Sequence, residues 1–266
     1  MTAARTPVNR ITVTYGDSPS TFGHIYHATS APAGTIPGGR MRPVVLIHGG
    51  YWSDEFSLTI QSAIARQYAQ SGALVWNIEY RRVGQAGGGW PGTGRDVLAA
   101  IRALDDLVPA ALDPQVAHRV DWSQVAVVGH SAGGQLAVWA TAQLRARTRH
   151  CVISTVIAQS AALNLEAAAR AGSESVRRLI GRPYEEAPHL YREASPSAQE
   201  PFDAHVVAVH TADDEAIPLV VSRRYVELMT ERGQSAELVV VPGEGHSAFC
   251  DPRSRANRET ARLLGI

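Results

Sequence analysis

The sequence predicts an α/β fold in which a mostly parallel central sheet is flanked by helices. Short apolar, β-branched runs alternate with longer helical segments along the chain. The later runs are apolar throughout rather than at every second position, as strands covered on both faces require. One run ends in a glycine-flanked serine that opens a helical segment. The 266 residues suffice for one large core without disulfide or metal staples. No internal repeat or low-complexity tract interrupts the pattern, so a single domain over 1–266 is expected.

In chain order, Ile11 to Tyr15 and Gly23 to His27 read as an antiparallel lead-in. Pro43 to Ile47, Ala73 to Ile78, Val125 to Val128, Val152 to Ala158, Val206 to Val209 and Leu238 to Val241 read as the parallel strands. Between the second and third of these, Val97, Leu98, Ile101, Leu104 and Leu107 follow the spacing of one amphipathic stripe. From Ser131 to about Arg147 the first two turns are apolar nearly all round, which predicts the most buried helix. Residues from about 162 to 199 carry scattered charge and the breakers Gly181, Pro183, Pro188 and Pro196. That is too long for an ordinary connection within an α/β sheet, and it reads as a small inserted helical cap.

Composition removes several chemistries. All 25 basic residues are arginine, and they balance 25 acidic residues to a net charge of zero. Without lysine there is no Schiff base to a pyridoxal cofactor, no Walker lysine and no Ser-x-x-Lys pair. Zero net charge argues against a nucleic acid or an anionic membrane as partner. Cys151 and Cys250 lie far apart and outside any metal-binding spacing, so no metal or other cofactor is expected. The polar stretch Met1 to Arg10 lacks the apolar core of a signal peptide, and no run approaches the roughly 20 apolar residues of a membrane span. A cytoplasmic location is the expectation, with a small-molecule ester or amide as the partner and a homodimer left open.

Chemistry concentrates in Gly129-His130-Ser131-Ala132-Gly133, which follows a strand and opens the buried helix. This is the G-x-S-x-G nucleophile elbow in its confirming context. Small neighbours are needed because the serine occupies a strained turn where strand and helix approach closely. A serine hydroxyl needs a general base, and the base needs an acid to orient it, in the chain order serine, acid, histidine. Of the ten histidines, His246 alone follows the last acid-bearing loop. It stands in the glycine-rich turn Pro242-Gly243-Glu244-Gly245-His246, where an exposed ring is expected. The acid comes from His210-Thr211-Ala212-Asp213-Asp214-Glu215. Asp214 is preferred, because it precedes Ile217-Pro218, where a helix would begin with proline in its first turn. Asp213 is the alternative, and one of the unused acids is expected to cap that helix. The oxyanion needs two preorganised donors. The Ala132 amide is one, and the amides of Gly49 and Gly50 in His48-Gly49-Gly50-Tyr51-Trp52 supply the other.

These residues together resemble the α/β-hydrolase superfamily and, within it, the kynurenine formamidase (arylformamidase) and carboxylesterase branch. Tyr-Trp after the two glycines is the more specific part of that resemblance, which runs from about Arg42 to Phe249. It implies a metal-independent serine hydrolase acting through an acyl-enzyme, with N-formyl-L-kynurenine as substrate and kynurenine and formate as products. A broad small-molecule carboxylesterase shares the same machinery, and a non-catalytic binding protein on a hydrolase scaffold is a third reading. Candidate substrate contacts are Tyr51, Trp52, Trp90 and His130, with Tyr184 and Tyr191 from the cap. In a chain without lysine, a substrate carboxylate must meet arginine. That points to Arg178 and Arg182 in the cap and to Arg81 and Arg82, for which an ion pair with Glu79 is the alternative.

Overall fold

A computed structural model describes residues 6–29 and 39–266. The stretch weighed as a signal peptide therefore lies outside the described residues as far as Arg5. Eight strands form one sheet: β1 (Val8–Thr14), β2 (Phe22–Ala28), β3 (Pro43–Ile47), β4 (Leu74–Ile78), β5 (Val125–His130), β6 (Ile153–Gln159), β7 (His205–Thr211) and β8 (Ala236–Val241). Their spatial order is β1-β2-β4-β3-β5-β6-β7-β8. β1 and β2 run antiparallel to their neighbours, and β3 to β8 pair in parallel. The predicted sheet is therefore present, antiparallel lead-in included.

The interior strands read as unbroken apolar runs because both faces are covered. β3, β4 and β5 are buried at every position, and their side chains feed two separate cores. Val45, Ile47, Val125 and Val127 enter one core, and Val44, Leu46, Ala126 and Val128 enter the other. That alternation is the two-residue period of a strand dividing its side chains between helical layers.

Ten helices pack around this sheet among the described residues: α1 (Ser62–Gln70), α2 (Gly92–Arg102), α3 (Leu107–Ala110), α4 (Pro114–His118), α5 (Ala132–Gln143), α6 (Leu165–Arg170), α7 (Glu174–Ile180), α8 (Pro188–Ala194), α9 (Val220–Glu231) and α10 (Arg255–Leu264). α1 and α10 contribute to the second core through Ile64, Tyr68, Ala256 and Leu264. α2 and α5 contribute to the first. α5 is buried without a break from Ala132 to Thr141, as its composition predicts. The stripe expected to run on to Leu107 is shorter. α2 ends at Arg102, the chain tightens into a 3-10 turn over Ala103–Asp105, and Asp106 starts α3 by accepting the Leu107 amide. Leu107 is consequently exposed. The segment between β6 and β7 carries α6, α7 and α8.

Strand order fixes where a ligand would sit. From β3 the chain crosses to β4 on one side, and β5 lies on the other side of β3. The loops leaving β3 and β5 thus diverge at the carboxyl edge of the sheet, which is where open α/β sheets bind ligands.

Candidate active site

Ser131 joins β5 to α5 with φ 54° and ψ −117°, a left-handed conformation that costs a non-glycine residue on the order of 1–3 kcal/mol. The surrounding structure holds it there. Its amide donates to the Gln159 carbonyl at 2.8 Å, and its own carbonyl accepts from Gly134 and Gln135 at 3.0 and 3.2 Å. Close approach also explains the glycines. A Cβ on Gly129 would lie 2.1 Å from the Gly133 carbonyl oxygen, and one on Gly133 would lie 2.1 Å from that of Ile47.

The loop after β3 packs directly against the serine, since a Cβ on Gly49 would sit 3.1 Å from the Ser131 Cβ. Gly50, Tyr51 and Trp52 all have positive φ, at 110°, 55° and 56°. The amides of Gly49, Gly50 and Ala132 donate to no protein group among the described residues. Three free N–H groups beside a serine at the start of a 12-residue helix match the donor set and the positive helix end that a developing oxyanion needs. Trp52 anchors the loop. Its Nε1 donates to Gln135 Oε1 at 3.0 Å, while Gln135 Nε2 donates to the Ala194 carbonyl at 2.8 Å. At the loop's other end His48 Nε2 bonds Glu79 Oε1 at 2.8 Å and its ring stacks on Tyr80. Glu79 also accepts the Leu58 amide at 3.0 Å and pairs with Arg82 at 3.4 Å. Burial pushes the Glu79 carboxyl up, but the His48 and Leu58 hydrogen bonds outweigh it and hold it below its ordinary value.

Of the two candidate acids, Asp214 meets the histidine. His246 Nδ1 lies 2.8 Å from its Oδ2 and 3.1 Å from its Oδ1. Asp213 is an exposed neighbour. Burial raises the Asp214 carboxyl, yet hydrogen bonds from His246 and the Ile217 amide dominate and hold it well below the carboxylate range. Its charge is therefore kept. Two expectations are corrected here. No acid caps the helix, because α9 starts only at Val220 with Leu219 at its N-cap and no side-chain cap bond; Asp214 Oδ1 instead closes a turn by accepting the Ala216 and Ile217 amides at 2.9 and 2.8 Å. Glu215 instead accepts the His246 amide at 3.2 Å. His246 is also buried rather than exposed, because the chain winds into a 3-10 turn over His246–Cys250 that packs Phe249 inward.

His130 is corrected as well. It does not line the cavity; it sits behind His246, with ring centroids 4.6 Å apart, and its Nε2 donates to the His246 carbonyl at 3.0 Å. Burial, then the neighbouring His246, pushes its pKa down to about 3. Nε2 must carry the proton to make that bond, so Nδ1 faces the Cys250 thiol at 3.9 Å.

A cavity of about 650 Å³ opens over Ser131. Tyr51, Trp52, Ser131 and Ala132 form its floor, α6 supplies Ala167 and Ala168 with Ala171 just beyond its end, and α9 supplies Val220, Val221, Arg224, Tyr225 and Leu228. Tyr51 and Trp52 are thus where the sequence places them. Trp90 is not, since it packs edge-on against Trp139 at 4.7 Å, off the cavity wall. The arginines singled out for a carboxylate are elsewhere too. Arg81 grips Asp96 with two bonds, Arg182 pairs with Glu186, Arg82 pairs with Glu79, and Arg178 is off the wall. Tyr191 is buried with its hydroxyl on the Arg182 carbonyl, and Tyr184 packs against it at 5.3 Å. The cation that reaches the cavity is Arg224, which sequence reasoning passed over. Its signal was present in the i, i+4, i+8 spacing of Val220, Arg224 and Leu228. Tyr225 has a buried hydroxyl without a hydrogen-bond partner among the described residues. No group of three or more His, Cys, Asp or Glu among the described residues is arranged to hold a metal ion.

The eight-stranded order, the strained serine between β5 and α5, and the acid and histidine after β7 and β8 define the α/β-hydrolase fold. Solved structures share it over nearly the whole chain. A truncated carbohydrate esterase from gut microbiota matches with a TM-score of 0.77 at 20% identity, over 98% of this chain and 97% of that one. Esterase B from Lactobacillus rhamnosis, in a crystal structure with a C4-C4 SN3 tributyrin phosphonate, matches at 0.76 and 18% identity, over 98% and 87%. Esterase 2 from Thermogutta terrifontis, in its propionate-bound form, matches at 0.67 and 20% identity, over 97% and 92%. The BD-FAE family model matches residues 35–229, and the chain belongs to that family. No curated protein matches it. The formamidase branch suggested by the Tyr-Trp loop is not what the family match returns.

Proposed function

We propose that the protein is a serine esterase that hydrolyses a small-molecule carboxylic ester through an acyl-enzyme. The observation that carries this reading is the strained Ser131 on the wall of an apolar cavity with three free amides beside it, while its neighbour His130 packs on the His246 ring and Asp214 bonds that ring's Nδ1. Ser131 Oγ attacks the ester carbonyl while His246 Nε2 takes its proton. Asp214 fixes the ring through Nδ1 and stabilises the imidazolium. The amides of Ala132, Gly49 and Gly50 receive the oxyanion as it develops. His246 then protonates the departing alcohol, and water enters by the same route to release the acid and restore Ser131. Every catalytic group in this scheme belongs to the chain, and α6 to α8 act as a cap within the same domain.

The esterase names of the structural neighbours are consistent with ester cleavage. Hydrolysis of N-formyl-L-kynurenine, which the His48 to Trp52 loop suggested, would use the same groups but draws no support from the family. Ser131→Ala should lower turnover of short 4-nitrophenyl esters by about 10⁴-fold or more and abolish labelling by a fluorophosphonate. Labelling that persists in that variant would overturn the assignment. Assaying the esters beside N-formyl-L-kynurenine decides between the two substrates, with faster ester turnover expected.

A further inference from the structure

Resting on the esterase reading, we infer that Arg224 is a specificity-determining residue and that the preferred substrate carries a carboxylate at the far end of an apolar body. Among the described residues, Arg224 is the charged side chain on the wall of the Ser131 cavity. Its guanidinium makes no hydrogen bond or ion pair with another described residue. Two helical arginines take a glutamate three residues away, Arg177 with Glu174 and Arg262 with Glu259, both at 2.6 Å. Arg224 has Glu227 at the same spacing on α9 and leaves it unbonded.

The rest of the wall explains what such a cation would serve. The α9 face toward the cavity is otherwise apolar or aromatic, and the opposite face is built from the small side chains of Ala167, Ala168 and Ala171. At about 650 Å³ the cavity has room for a hydrocarbon or aromatic body besides the reacting ester. A guanidinium presents paired donors that match a carboxylate. One cation suits a singly charged carboxylate, whereas a dianionic phosphate would call for further positive donors, and the wall has none among the described residues.

Two matched pairs test this. One is the mono-4-nitrophenyl ester of adipic acid beside its methyl ester, with the charge on the acyl side. The other is 4-butyryloxybenzoate beside its methyl ester, with the charge on the leaving group. The expected result is a wild-type kcat/KM preference for the charged member of at least one pair. Arg224→Gln should reduce that charged-to-neutral ratio by about 10- to 100-fold, the range of a charge-assisted hydrogen bond. Arg224→Lys should keep part of the ratio, and Arg224→Glu should shift preference toward a trimethylammonium-bearing 4-nitrophenyl ester. Equal losses for both members in Arg224→Gln, or no charged preference in either wild-type pair, would overturn the proposal. Calorimetric binding of 4-butyryloxybenzoate to Ser131→Ala, with and without Arg224→Gln, separates the two readings. Arginine-dependent binding without wild-type turnover of any of these esters would sink the esterase reading alone, and arginine-independent binding together with no arginine-dependent preference for the adipate ester would sink this one.

Discussion

At the scale of single residues, two histidines with similar burial have opposite duties. His246 faces a carboxylate on one nitrogen and belongs to the proposed proton relay. His130 meets the His246 carbonyl, the Cys250 thiol and two aromatic rings, and its bond to that carbonyl holds the His246 backbone in place. That difference makes a testable pH signature. An unfolded histidine titrates near ~6.5, whereas folded His130 does so at about 3. Between these values the unfolded chain binds one more proton, so this contribution to stability is complete above the unfolded value and is lost as pH falls toward the folded one. His130→Gln should therefore reduce the protons taken up on unfolding at pH 5 by about one, read from urea midpoints measured between pH 4 and pH 7. A variant that keeps the wild-type pH slope would show that the ring is not held neutral. Sequence could place Ser131 in its strained turn and set Asp214 against His246, because the elbow motif and the chain order constrain residue type. It could not separate His130 from a substrate contact, because its position inside the elbow says nothing about which way the ring turns.

At the scale of elements, the proposed oxyanion loop is held by ties rather than by a regular structure of its own. Three successive positive φ angles from Gly50 to Trp52 need restraint, and Gln135 supplies it by taking the Trp52 indole N–H and giving its own amide to Ala194 at the end of α8. Gln135→Met keeps the volume and removes both bonds, leaving a buried donor and a buried acceptor unpaired. We expect a loss of about 1–3 kcal/mol in stability and a fall in kcat smaller than the ~10²-fold that follows deletion of an oxyanion donor. Chemical denaturation and steady-state kinetics on short 4-nitrophenyl esters measure the two effects. Unchanged kcat with lowered stability would confine Gln135 to packing. The strands were legible because burial on both faces writes itself as uninterrupted Val, Ile, Leu and Ala. The ties were not, since a glutamine in a helix of alanine and glycine has no signature until the loop it reaches is placed. β1 is the converse case. Its exposed pattern hides the first half of the strand, which begins at Val8 rather than at Ile11.

At the scale of the whole molecule, the second core, packed by α1 and α10, shares no residue with the cavity wall, and this separation can be tested. The C-terminal helix α10 closes the face of the sheet opposite the first core. Asn257 on it is fully buried, accepts the Tyr68 hydroxyl at 2.7 Å and donates to Gln67 at 2.8 Å, so α10 is stitched to α1. Thr260 accepts from Gln159 at 2.9 Å, and Glu244 accepts the first two amides of the helix at 2.7 and 2.8 Å. No helix of the described residues is long and apolar enough to cross a membrane, and an unpaired buried group carries its full desolvation cost. Asn257→Ala removes the acceptor at 2.7 Å from the Tyr68 hydroxyl and the donor at 2.8 Å from the Gln67 carbonyl oxygen. It should lower unfolding free energy by about 2–4 kcal/mol while the kcat per phosphonate-titrated site stays at the wild-type value, because Asn257 touches neither the elbow nor the cavity wall. A fall in kcat per titrated site would mean instead that α10 acts on Ser131 through Thr260 and Gln159, whose carbonyl accepts the Ser131 amide. Thr260→Val would then reproduce the kinetic loss, and Asn257→Ala combined with Thr260→Val would lose no more than the larger single effect.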